Sequence, residues 1–125
     1  MSGMTAYLPH PVTSHDELQA ELTRAFEHLQ GALAAGSPVV VLLEERNVQA
    51  TEEPLAAALA HGLIGLVRAA AIEGRQAGWH VAALSYLPHT DDAELQRWVG
   101  SLAASASTSG SLVRLGGEHL GRVAV

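Results

Sequence analysis

"PLAAALAHGLIGLVRAAAIEGRQAGWHVAALSY" (residues 54–86) is the stretch on which the fold turns. Between Pro54 and Arg68 it carries no Asp, Glu, Lys or Arg. Proline suits the first turn of a helix, where its missing N–H leaves no bond unmade, so the stretch predicts an apolar helix from Pro54 to about Arg75. After a polar turn, "GWHVAALSYL" is a short continuous apolar run, which predicts a strand buried on both faces. The uncharged run is about 14 residues long, below the roughly 18–20 that cross a bilayer, so a membrane span is not expected. A helix apolar all round must be covered on more than one side.

Working outward, "TSHDELQAELTRAFEHLQGALAAG" (13–36) predicts an amphipathic helix. Leu18, Leu22, Ala25, Phe26, Leu29 and Leu33 fall on one face, and Glu21, Arg24, Glu27 and His28 on the other. Ser14 with Glu17 three residues later is a capping box, and Gly36 supplies a stop. "PVVVLLEE" (Pro38–Glu45) predicts a buried strand, followed by a polar loop, "ERNVQATEE". Downstream, "TDDAELQRWVGSLAAS" predicts a helix with acids in its first turn. Flexible "SASTSGS" leads to a third strand, "LVRL", and "LGRVAV" follows the turn "GGEH" as a candidate hairpin partner. "YLPH" occurs at Tyr7 and again at Tyr86, before a helix each time, and both copies read as strand-end turns in successive β-α units. Met4–Leu8 is then a short first strand.

This order predicts an α/β domain over residues 1–125: a partial Rossmann-like open sheet, mostly parallel, of about four strands. Helices are expected on both faces, with right-handed crossovers.

Composition narrows the chemistry. A formal charge of −6 argues against nucleic-acid and anionic-membrane partners. There is no cysteine, hence no disulfide and no thiol chemistry. All seven cationic residues are Arg, so no lysine is present for Schiff-base or phosphate-loop work. The N-terminus lacks a basic segment followed by an apolar core, so no signal peptide is expected, and the bacterial cytoplasm is the expected location.

"HGLIGLVRAAAIEGRQAGWHVAAL" resembles the active-site helix and following strand of the short-chain dehydrogenase/reductase family, the ketoacyl-carrier-protein-reductase type in particular. Gly62, Leu63, Ile64, Gly65, Arg68, Glu73, Gly78 and Val81 carry the match. "AFEHLQGALAAGSPVVVLLEE" is similar to the family's serine-bearing helix and strand, and "STSGSLVRLGG" to its last strand. Resemblance covers most of residues 18–117, which implies a truncated and degenerate form of that fold, its C-terminal half only. The family's catalytic tyrosine then falls on Ala56, its lysine on Ala60, and its serine on or next to Glu44. Tyr86-Leu87 replaces the Pro-Gly after the following strand. A methyl group neither donates nor removes a proton. No glycine-rich dinucleotide turn precedes a helix, so no cofactor is expected. The glycines of "LGGEHLG" (115–121) read as a turn.

The resemblance therefore implies a non-catalytic, self-associating or companion subunit: a dimer or tetramer of this chain, or a partner of a full-length short-chain reductase. In the family the equivalent helices form the interface between subunits, which places the interface on Leu59, Gly62, Leu63, Leu66 and Val67, with Ala58, Gly65 and Ala69 allowing close helix approach. The alternatives are a residual NAD(P)- or acyl-binding oxidoreductase using Glu44, Tyr86 or histidines, and a regulatory small-ligand module. Seven histidines never take a paired metal spacing, and no metal is expected, although His10 and His89 follow matching Leu-Pro turns at one end of the sheet. His61 reads as a satisfied core or interface histidine. Glu44 and Glu45, with Glu52 and Glu53 beyond, read as a solvated loop with one carboxylate meeting Arg46.

Overall fold

The computed structural model describes residues 6–115. The sequence elements appear in the expected order: β1 (Ala6–Tyr7), α1 (His15–Ala34), β2 (Val39–Glu44), a short α2 (Glu45–Val48), α3 (Pro54–Glu73), β3 (Val81–Tyr86), α4 (Asp92–Ala104) and β4 (Leu112–Arg114). The four strands form one all-parallel sheet in the order β1-β2-β3-β4. The candidate strand 120–125 lies outside the described residues, as does all but the first residue of the Gly-rich turn beginning at Leu115.

Strand alternation divides the core in two. Tyr7, Val39, Val41, Leu43, Val81 and Ala83 point to one face and are covered by α1 and α3. Val40, Leu42 and Leu84 point to the other, where Leu95, Val99 and Leu102 of α4 cover them. Helices thus lie on both faces, but the uniform hand expected of the crossovers does not hold. Strand order advances in one direction throughout, while α4 lies on the face opposite α1 and α3. The β3-α4-β4 connection therefore has the opposite hand to the other two, against the strong right-handed preference of parallel units.

Local signals account for most boundaries. Ser14 Oγ accepts from the Glu17 N–H at 3.1 Å, and the Glu17 carboxylate reaches back to the Thr13 N–H and hydroxyl at 2.7 and 2.8 Å, so the box closes on Thr13. Gly36, at φ +84°, follows the end of α1. The loop expected after β2 instead contains α2, closed by Ala50 in the left-handed region (φ 59°). "SASTSGS" holds a 3-10 turn, Ala106–Thr108. The two "YLPH" turns do end strands, β1 and β3, but in the first and third units rather than successive ones.

As formed, α3 is 20 residues long with a mean hydropathy of 1.8, long and apolar enough to cross a membrane by length and composition, contrary to the expectation from its uncharged run alone. Its inner side rests on the sheet and on α1: Ala57, Leu59, Ala60, Leu63, Ile64 and Val67 are buried within the chain. Leu59, Leu63 and Val67 are thus occupied by the chain's own core, Gly62 faces Leu22 of α1, and Leu66 packs partly against the same core.

Candidate functional site

β1, β2 and β3 end on the same side of the molecule, where open α/β sheets usually bind ligands. A cleft of about 430 Å³ opens there, within the size range of small-molecule sites. Its floor is apolar, with Val12, Leu43 and Leu59, and its rim carries His10, Glu44, Arg46, Glu52, Glu53 and Tyr86. Ala56 and Ala60 line it as well. Glu44, Ala56 and Ala60, distant in sequence, are therefore brought to one cavity. His10 joins them, but His89 does not.

The rim charges largely satisfy one another. Arg46 Nε lies 2.9 Å from Glu44 Oε1, and its Nη1 donates to Glu52 Oε1 at 3.1 Å. One arginine thus holds two carboxylates. Burial, reinforced by the negative charge of Glu44, pushes the Tyr86 phenol above its ordinary pKa. A tyrosine that relays protons at neutral pH needs the opposite shift.

Beside the cleft, Glu45 departs from the solvated loop expected of it. It is buried, and Ser85 Oγ donates to its Oε1 at 2.6 Å. Gln49 Nε2 donates to Oε2 at 2.8 Å, and the Arg114 guanidinium engages both oxygens, with Nε at 3.1 Å from Oε1. Ser85 and Arg114 are register partners on β3 and β4, so their side chains leave the same face of the sheet, and Glu45 at the start of α2 meets both. Burial raises the Glu45 pKa, but the hydrogen bonds from Arg114, Ser85 and Gln49 overcome it and hold the carboxyl below its ordinary range.

A second buried carboxylate was expected on the solvent face of α1. Glu21 instead accepts the Tyr7 hydroxyl at 2.6 Å and both Arg24 Nε and Nη2, at 2.9 and 3.0 Å. His10 Nδ1 lies 3.7 Å from it. Burial raises its pKa, while the bonds from Arg24 and Tyr7 bring it below normal. The Tyr7 phenol moves the other way, pushed up by burial and by Glu21, and its ring carries Arg24 on one contact and His28 on another. Phe26, expected in the core, is half exposed instead.

His61 is exposed rather than part of the core, and its Nε2 lies 2.8 Å from the Val48 carbonyl oxygen. Among the described residues, no group of three or more His, Asp or Glu side chains is placed to hold a metal ion. The positions given by the resemblance, Glu44, Ala56 and Ala60, line this cleft, whereas Glu45, read as part of a solvated loop, and Glu21, read as solvent-facing, are buried instead. No protein-family model matches this chain, and no curated protein matches it either.

Proposed function

We propose that the chain is a non-catalytic, self-associating subunit related to the short-chain dehydrogenases/reductases. The observation that carries this reading is α3: over its apolar stretch only 33% is buried within the chain. Ala58, His61, Gly65, Arg68, Ala69 and Ile72 share its outer side, all exposed, with Ile72 at 66%. Phe26 of α1 (49% exposed) lies one turn from Leu22, the residue that touches Gly62. At about 25 cal/mol per Å² of apolar area, covering this surface with a second copy is a strong incentive to associate. The interface moves accordingly from Leu59, Leu63 and Val67 to this outer strip. Ala56 and Ala60, at the family's catalytic positions, offer the cleft only methyl groups, which supports the non-catalytic half of the reading. On this view α3 is covered by protein rather than lipid, and the chain works in the cytoplasm, alone or beside a full-length reductase.

Sedimentation of the wild type and of Gly65→Glu tests it. A Cβ at position 65 meets nothing within 4 Å, so the variant keeps its fold. A dimer or larger wild-type species that becomes monomeric in the variant is expected. A monomeric wild type overturns the reading. Titration with NADPH and NADH, followed by Trp79 and Trp98 fluorescence, is expected to give no change, and saturable micromolar binding favours the residual oxidoreductase instead.

A further inference from the structure

At the opposite end of the sheet, where β3 and β4 begin, a groove of about 580 Å³ runs between the end of α3, the turn entering β3 and the turn entering β4. Arg68, Arg75, Trp79, His80, Ser109 and Gly110 line it. Two close approaches shape it. Gly74 lets the Trp79 indole lie so near the backbone that a Cβ would sit 2.4 Å from it, and Gly110, at φ +85°, lies 3.1 Å by the same measure from Ala71.

The charge at this groove is unusual for the chain. Acids outnumber arginines 13 to 7, and Arg24, Arg46 and Arg114 each pair with a carboxylate. Among the described residues Arg68 and Arg75 pair with none, and no carboxylate lines the groove. Two guanidinium groups without partners, beside a half-buried indole, form a surface complementary to a planar anion. Guanidinium forks match carboxylate and phosphate oxygens, and both guanidinium and indole accept a flat apolar body by stacking. Ser109 Oγ and His80 add neutral hydrogen-bonding groups, since burial holds the His80 imidazole below its ordinary pKa. The volume suits a small molecule.

We infer that this groove binds a small organic anion, a phosphate or carboxylate joined to an apolar planar body. The site lies apart from the cleft, and it shares Ile72 with the outer strip of α3, so it borders the proposed interface.

Phenyl phosphate, benzoate, inorganic phosphate and benzyl alcohol, each titrated to roughly 10 mM into the full ¹⁵N-labelled chain, test the inference, millimolar affinity being the weakest expected of so small a probe. Phenyl phosphate or benzoate is expected to shift the Trp79 indole N–H and the Gly78 and Gly110 amides saturably. The stronger of the two identifies the anionic group. Benzyl alcohol is expected to leave these signals in place, and inorganic phosphate to bind more weakly than phenyl phosphate. The double variant Arg68→Gln/Arg75→Gln, both sites being exposed, is expected to weaken binding about tenfold or more while leaving amides elsewhere unmoved. No saturable shift, equal binding by inorganic phosphate or benzyl alcohol, or an unchanged affinity in the double variant overturns it.

Discussion

At the carboxyl ends of β2, β3 and β4, Glu44, Glu45, Arg46, Glu52 and Arg114 satisfy one another. At the amino ends of β3 and β4, Arg68 and Arg75 face a groove that, among the described residues, no carboxylate lines. The first set of charges is spent holding turns and strands to one another, whereas the second is left for something outside the chain. Position in the sheet decides between them: Glu45 is buried and must be paired, while Arg68 and Arg75 keep their hydration and need no partner to fold.

The comparison breaks most severely at Glu45. Glu45→Ala leaves the Arg114 guanidinium and the Ser85 hydroxyl without their acceptor, and a loss of about 3 kcal/mol in urea unfolding is expected. Little change would mean that the carboxyl-end charges are as dispensable as the others. Next comes Gly74→Ala, which drives a methyl into the Trp79 indole. It is expected to cost about 2 kcal/mol in thermal unfolding and to abolish phenyl phosphate binding, with the cleft end undisturbed.

A pH series sharpens the contrast further. Glu21 and Glu45 both titrate below their ordinary 4.5 when folded, so their contribution is complete above that pH and drains away as pH falls through the folded values. Glu45→Gln is expected to flatten the acid limb of stability, whereas Arg68→Gln/Arg75→Gln leaves its shape alone. The smallest effect belongs to Arg46→Ala. Its ion pairs are exposed, and about 0.5 kcal/mol or less is expected in the same urea assay.

The strands and helices were largely legible because their signals are local. Val39–Leu43 is a continuous apolar run, and Pro54 and Gly36 mark their helix ends in three or four residues of text. The buried carboxylates were not legible, because Glu21 meets Tyr7 across 14 positions, and Glu45 meets Ser85 and Arg114 across 40 and 69. Phe26 was assigned inward by its spacing from Leu22, yet Ala25, fully buried, takes the contact with the core. For α3 the difficulty is different. A helix with no polar face gives periodicity nothing to orient, so Leu59, Leu63 and Val67 were as plausible outward as Ala58, Gly65 and Ala69. Only packing on the sheet separates them. Glu44, Ala56 and Ala60, singled out by the resemblance, are far apart in sequence and meet only in the fold, while the anion groove left no motif at all.

The reversed hand of the last crossover has a mechanical meaning. β4 meets β3 through only three register pairs and is reached by a helix on the far side of the sheet, away from α1 and α3. Tension applied along the backbone beyond residue 115 would therefore bear first on Arg114 and its grip on Glu45. That grip ties the last strand to the turn after β2, so pulling β4 from β3 is expected to need less force in Glu45→Ala.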